Sequence, residues 1–532
     1  MELVPAQRDT RITQTRAALS ERLLRSHDAA IVICNRERTP AILDELPFSP
    51  MLQRLYDKAQ RRGPVNMLST RVTADAVPLV VAFVKSTASA FEQLTLAARA
   101  WKELSAAAPR RVLFATCELD ARQTDTMLEA LVAAALAATA PMPTLKSKPV
   151  RPAVLEAITL IRNGAALDLQ RSLAVDRGNH LARWLTALPP NLLGSASYRR
   201  TLSTLAKQHR WGFTFFNEAA LKRLGAGAFL AVARANAHRE AGIVRLRYRA
   251  PDHASDRTLG RSGNVARLAL VGKGICFDTG GINLKSHKSM YQMHEDMQGS
   301  AVALGTLLAL SELKAPCDID CWLAITENET GARAYRPQEV VKAANGVTIQ
   351  VAHSDAEGRM ALADTLALAA RDEPSLIIDY ATLTGACITA LTERYSGVFT
   401  NRPEWHTALE LAGRYSGERV WPFPMDEDFD SDLDSPIADI LQCTPDGKGD
   451  HIFAARFLNR FVPAGTPWIH IDLAASNRSG GLAHIPTDFT GFGVRYTAHL
   501  LLDHDLLGTN QRKRAAGKRQ TGKSATRKAR GR

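Results

Sequence analysis

Residues Leu268–Gly281 read "LALVGKGICFDTGG". The four apolar residues Leu268–Val271 have the length and character of a buried strand, and glycines and charged residues follow at once. A short apolar run bounded this way fits a strand of a parallel sheet covered on both faces. The pattern recurs downstream. Ile319–Ile325 runs into "TENETG", Thr348–Val351 into "HSDAEGR" and Leu376–Tyr380 into "DYATLTGA", and Trp468–Asp472 is a fifth apolar run. A helical stretch, Ser300–Leu313, lies between two of these strands. The alternation predicts an α/β unit from 191 to 510. In open α/β sheets ligands gather at the carboxyl ends of strands, so the four loops are expected on one edge.

Working outward, the region before residue 165 shows the same alternation. Ala29–Cys34, Leu79–Val84 and Arg111–Ala115 are of strand length, and Phe91–Leu104 and Thr124–Ala138 are helical in pattern. A first α/β domain over 1–165 follows, without a phosphate loop or an acid cluster. "APMPTLKSKPVRP" (Ala140–Pro152) holds four prolines and no periodicity, which marks a boundary nearby. A linking helix over 166–190, centred on Leu173–Ala187, ends where Pro189-Pro190 cannot continue it.

A chain of 532 residues is long enough for two or more domains, and its 45% hydrophobic content permits a sizeable core. No run of 18 or more apolar residues occurs, so no membrane span is read. The N-terminus is of mixed charge and lacks an apolar signal core, which argues for the cytoplasm. Seven cysteines without a CxxC pair fit free thiols better than a disulfide frame. The net charge of +13 is mostly a tail. Gln511–Arg532 carries ten Lys or Arg and no acid, and its removal leaves +3. Such a tail is expected to be disordered. It reads either as a solvated end or as a non-specific anchor for nucleic acid through counterion release. It has no aromatic residue on which bases could stack.

The loops deliver an unusual set of charges: Lys273, Asp278 and Lys285 from one, Glu295 and Asp296 ahead of the Ser300 helix, and Asp355, Glu357 and Arg359 from "HSDAEGR". A lone Asp-x-Glu after a strand is usually a solvated turn or a helix cap. Carboxylates gathered without cations repel one another, and divalent ions remove that penalty. Oxygen-rich sites with few histidines suit Mg²⁺ or Mn²⁺, and Zn²⁺ also accepts Asp and Glu. On position alone, Lys273 reads as an ammonium paired with Asp278, and His353 as a tempting extra ligand.

Taken together, "VGKGICFDTGGINLKS", "MHEDMQGSAVALG", "HSDAEGRMALADTLALA" and "IIDYATLTGACITAL" closely resemble, in order and spacing, the segments that define the leucyl (cytosol) aminopeptidases. "LPPNLL", "TENETGARAYRPQEVV" and "FTGFGVR" are similar to further family segments. The resemblance covers Leu173–Leu507 strongly and the N-terminal domain in layout only. It implies a macro-like N-terminal α/β domain and a catalytic domain with a mixed central sheet flanked by helices. It also implies a homohexamer acting on peptides with two divalent ions, Mn²⁺ or Zn²⁺, per subunit.

Carried over by position, the resemblance assigns Lys273, Asp278, Asp296 and Glu357 to the tighter metal site. Asp278, Asp355 and Glu357 fall to the more exchangeable one. Lys273 would bind through a neutral amine, which a neighbouring divalent charge favours. Lys285 and Arg359 match the two catalytic residues that are not ligands. Lys285 would stabilise an oxyanion, and Arg359 would hold a bicarbonate ion serving as general base. Met293, Thr382, Gly385 and Phe489 align with the first-residue pocket, where Met293 and Phe489 would favour leucine-like side chains; ordinary core positions are the alternative. His353-Ser354 stands where the family has Asn-Thr, so His353 is expected beside the ligands rather than among them. Glu329–Ala332 and the "SHKSM" segment also depart from the family. A nucleic-acid-binding protein with secondary or weakened peptidase activity is the rival expectation.

Overall fold

The computed structural model describes residues 3–148, 154–251, 265–504 and 506–507. The basic tail Gln511–Arg532 lies outside the described residues. Two sheets dominate. The N-terminal one is built from β1 (Arg11–Thr15), β2 (Ala29–Asn35), β3 (Met67–Val72), β4 (Val77–Val84), β5 (Arg111–Cys117) and β6 (Ala157–Ile161), in the order β1-β6-β5-β2-β4-β3. Only the β3–β4 pair is antiparallel. Helices Ala90–Leu104 and Ala121–Thr139 cover one face. A capping box at Ser89 and Glu92 fixes the start of the first.

The second sheet has eight strands: β7 (Gly212–Asn217), β8 (Gly242–Tyr248), β9 (Arg267–Asp278), β10 (Asp318–Asn328), β13 (Leu376–Ala381), β14 (Ser396–Thr400), β15 (Val420–Pro422) and β17 (Trp468–Asp472). Their order is β15-β14-β17-β13-β9-β10-β8-β7. The four central strands, β17, β13, β9 and β10, run parallel, and antiparallel strands flank them, so the sheet is mixed as expected. Side chains alternate between two cores. Leu268 and Leu270 of β9 join the layer holding helices Gln170–Thr186 and Gln298–Glu312, while Ala269 and Val271 join the one holding helix Glu357–Ala370.

Two expectations are revised. First, "GKGICFD" is not a loop: β9 continues to Asp278 and stays paired with β10 that far. Ladder bonds satisfy the backbone there, so glycine's weak strand preference is overridden. A Cβ on Gly272 would lie 2.5 Å from Ser300 Cα, so the glycine admits the covering helix. Second, the Thr348–Val351 run is not in the main sheet. Its strand, β12 (Thr348–Gln350), lies between β11 (Val340–Lys342) and β16 (Ile440–Leu441) in a separate three-stranded sheet. The stretch expected as a linking helix does form one, Gln170–Thr186, and its buried side chains join the core against the eight-stranded sheet. It crosses helix Gln298–Glu312 at Gly178 and Gly305, where a Cβ on either would meet the other's carbonyl oxygen at 2.3 Å. Among the described residues no helix is long and apolar enough to cross a membrane, and all seven cysteines are free.

Candidate metal centre

The carboxyl ends of β9, β13 and β17 open onto one cavity of about 530 Å³. β9 delivers Lys273 and Asp278, and β10 ends at Asn328. Asp296 comes from the turn ahead of helix Gln298–Glu312, and Glu357 and Arg359 from the first turn of helix Glu357–Ala370. Loop Asp278–Lys285 turns back so that Lys285 faces the strand it left. Burial of Lys273, Asp278, Asp296, Glu357 and Arg359 is nearly complete.

The charges interlock. Lys273 Nζ lies 2.8 Å from Asp296 Oδ1 and 2.9 Å from Glu357 Oε1, and donates to the Thr382 carbonyl at 3.0 Å. Its pairing is therefore with Asp296 and Glu357 rather than with Asp278. Lys285 Nζ is the group beside Asp278, at 2.9 Å from Oδ2, and it reaches Asp355 Oδ1 at 2.5 Å. Thr382 Oγ1 donates to Asp296 Oδ1 at 2.7 Å. Asp278 Oδ1 accepts from the Gly280 amide and from Asn328 Nδ2, both at 2.8 Å.

Electrostatics bear the strain of this crowding. Burial, then the Asp278 charge, push Glu357 up to about 8. Burial also raises the Asp296 and Asp355 carboxyls above the usual range. For both lysines burial is the largest single influence and pulls downward, but the surrounding carboxylates outweigh it and hold them above the ordinary lysine value. Asp296 Oδ2 and Glu357 Oε2 are buried without a hydrogen-bond partner. Asp278, Asp355 and Glu357 each bring a carboxylate oxygen within 4.8 Å of the others. Unpartnered buried acceptors in an acid cluster fit divalent cations, which would supply the missing charge.

The loop bearing Asp355 is pinned from behind. Ser354 Oγ donates to the Gly280 carbonyl at 2.7 Å, and Tyr335 Oη donates to the Ser354 carbonyl at 2.7 Å. Gln442 Oε1 accepts from the Ala352 and His353 amides, and its Nε2 donates to the Ala356 carbonyl. His353 itself is exposed, with Nδ1 turned to the Asp355 amide, outside the acid cluster. Arg359 points to a different partner. Its Nη2 donates to both carboxylate oxygens of Asp450, at 2.8 and 2.7 Å, and Nη1 to the Gln442 carbonyl at 3.2 Å.

Met293, Thr382 and Gly385 line the cavity, joined by Ile388 and Leu473. Phe489 is not brought to that wall: it is half-buried and meets the His294 ring edge-on, and its neighbour Asp488 is the one that reaches the cavity. Sequence reasoning missed Asp450, Gln442 and Asp472. The last ends β17 and accepts from Thr384 Oγ1 at 2.6 Å and the Leu383 amide, which fixes the loop after β13. Its place at a strand's carboxyl end was the available signal.

Comparison with known proteins decides the family. The model of the cytosol aminopeptidase family, catalytic domain, matches residues 180–498. The chain belongs to the cytosol aminopeptidase family. A probable cytosol aminopeptidase from Synechococcus sp. (strain WH7803) is 37% identical over 66% of this chain and 70% of its own length. One from Syntrophotalea carbinolica is 40% identical over 64% of this chain and 66% of its own. A mutant of tomato leucine aminopeptidase shares the fold with a TM-score of 0.81 at 24% identity, over 94% of this chain and 98% of that one. The bottromycin maturation enzyme BotP, solved in complex with Mn, gives 0.73 at 26% identity, over 89% and 98%. As a cytosol aminopeptidase family member, the chain carries the catalytic unit of a metal-dependent aminopeptidase, a peptidase hydrolase.

Proposed function

We propose that this chain releases leucine-like residues from the amino ends of peptides, with two divalent ions, Mn²⁺ or Zn²⁺, held at the acid cluster. The observation that carries this reading is the cluster of three buried carboxylates, Asp278, Asp296 and Glu357, with partly exposed Asp355 beside them, two of the buried ones with unpartnered oxygens, at an open cavity. Lys273, Asp278, Asp296 and Glu357 would hold one ion, and Asp278, Asp355 and Glu357 the other. The ions, when bound, supply water activation near neutral pH and polarisation of the scissile carbonyl.

The chain's own residues do the rest. Met293, Leu383, Ile388 and Leu473 offer apolar surface to the first side chain. Asp296 is steadied by Thr382, and Asp278 by Asn328 and the Gly280 amide. Lys285, anchored between Asp278 and Asp355, is within reach of the cluster and can donate to the oxyanion of a tetrahedral intermediate. By the same resemblance the working unit is a homohexamer of 58.0 kDa subunits. The test is hydrolysis of leucyl amides and dipeptides by the purified full chain after chelation and after return of Mn²⁺ or Zn²⁺. Metal-restored cleavage is expected; none with either ion would refute the reading.

A further inference from the structure

The resemblance assigns a free bicarbonate ion to the arginine at position 359. In this chain that arginine already holds an anion. Arg359 is 2% exposed, and Nη2 donates to both oxygens of Asp450 while Nη1 is used by the Gln442 carbonyl. Both groups come from one segment. It begins at β16, which pairs with β12 ahead of "HSDAEGR", and ends at helix Asp450–Asn459. Gln442 also grips the backbone of Ala352, His353 and Ala356. The carboxylate is therefore delivered by the same piece of chain that holds the Asp355–Glu357 loop.

The physical argument is one of charge and room. A charge-assisted contact from a buried guanidinium to a tethered carboxylate is among the stronger polar interactions in a protein. A dissolved anion must displace that carboxylate and leave it unpaired in a mostly buried place. Otherwise it must bind beside it, within a few ångströms of a like charge. The tether also gives Asp450 a standing local concentration that a dissolved ion lacks. The arrangement does not fit a free bicarbonate on the Nη2 side of Arg359.

We propose that Asp450 is the resident anion of Arg359, answering the guanidinium charge that the resemblance gives to bicarbonate, so that this chain turns over without an added oxyanion. Asp450 is here a positioning residue, acting through Arg359. The inference rests on the proposed peptidase reaction for its rate measurement, but not for its binding measurement.

The experiment uses the full chain loaded with Zn²⁺, in buffer purged of carbon dioxide, with and without millimolar sodium bicarbonate. Leucyl amide hydrolysis by the unaltered chain is expected to change less than about two-fold on adding bicarbonate. Asp450→Ala should lose on the order of ten-fold or more without bicarbonate and regain most of it with bicarbonate. Asp450→Asn keeps the space filled and should be slowed and not rescued. Line broadening of ¹³C-labelled bicarbonate by Asp450→Ala but not by the unaltered chain is the second readout, which a merely structural role would not produce. The proposal is overturned if bicarbonate speeds the unaltered chain several-fold or binds to it in the ¹³C measurement. It is equally overturned if a folded Asp450→Ala matches the unaltered rate without bicarbonate. Should Asp450→Ala not fold, the unaltered chain and Asp450→Asn decide the matter by the same two measurements. An unaltered chain that cleaves no amide would sink the peptidase reading, while the ¹³C contrast would still report on Asp450.

Discussion

Replacing Gly358 with alanine should disable the site while leaving the fold standing. A Cβ built on Gly358 lies 2.5 Å from Lys273 Cε, 2.7 Å from Nζ and 2.8 Å from Cδ. Real contacts of this kind do not fall below 3.0 Å, so the lysine must retreat by about 0.5 Å at least. It has no free direction, because Nζ is held by Asp296, Glu357 and the Thr382 carbonyl and the side chain is buried. Overpacking of a filled interior costs about 1–3 kcal/mol. That is a modest share of a stability of roughly 5–15 kcal/mol, so Gly358→Ala should still fold with a lowered Tm. Catalysis should suffer more, since misplacement near 1 Å can cost on the order of a hundred-fold. The expected outcome is a ten- to hundred-fold loss in kcat/KM on a leucyl amide, by order of magnitude, with weakened metal retention measured by mass spectrometry. Gly465→Ala is the control: nothing lies within 4 Å of its Cβ, and it should behave as the unaltered chain. If Gly358→Ala keeps both its kcat/KM within about three-fold and its metal, then the position of Lys273 does not govern the site and the reasoning fails.

Lys285→Met should lower kcat on the order of a hundred-fold or more, as loss of an oxyanion donor does, while bound metal measured by mass spectrometry stays near the unaltered stoichiometry; loss of metal instead would make Lys285 a structural group. Asp364, about two turns along the helix that begins at Glu357, sets a stability slope. It is buried and accepts from the Phe229 and Ala344 amides at 2.7 Å each, yet burial raises it from 3.8 to about 7. Its folded pKa exceeds the unfolded one, so between these values the native state keeps a proton that the unfolded chain has released. Stability therefore falls as pH rises through that window, by up to about 1.4 kcal/mol per pH unit from this group. Asp364→Asn should flatten the urea-midpoint dependence between about pH 4 and 7, and parallel curves for the two proteins would contradict the assignment.

Much of the catalytic sheet was legible because parallel strands announce themselves as apolar runs. The glycines and acids beyond Val271, Ile325 and Tyr380 marked the end on which chemistry gathers. Part of the acid cluster was legible for the same reason, since Asp278 ends such a strand; Asp296 and Glu357 stand at the starts of helices instead. What the sequence hid has physical causes. Thr348–Val351 is a four-residue run, and so short a strand carries no information about which sheet it joins. Gly272 and Gly274 mimic a loop, and only the neighbouring strands and the covering helix reveal them as ladder positions. Helix Gln170–Thr186 reads as a link because a proline-rich stretch precedes it and Pro189-Pro190 ends it; in the fold its Asn179, His180 and Arg183 are buried, with Asn179 donating to the Thr490 and Gly491 carbonyls. Asp450 lies ninety-one positions from Arg359, in a stretch with no charge pattern of its own, and no spacing rule links the two. Phe489 matched by alignment, but its ring turned to His294.

The crossing of Gly178 with Gly305 ties the acid cluster to a helix that carries none of its carboxylates. Asp296 stands just before helix Gln298–Glu312, and that helix is seated backbone against backbone on Gln170–Thr186. A methyl group at either crossing point has no gap to fill, so the two rods must slide or part. Interiors packed this tightly pass such a shift along rather than absorb it. Helix Gln298–Glu312 thus works as a lever whose short arm ends at a carboxylate. The distance between that carboxylate and Lys273 is set in part by two hydrogen atoms on glycines many residues away.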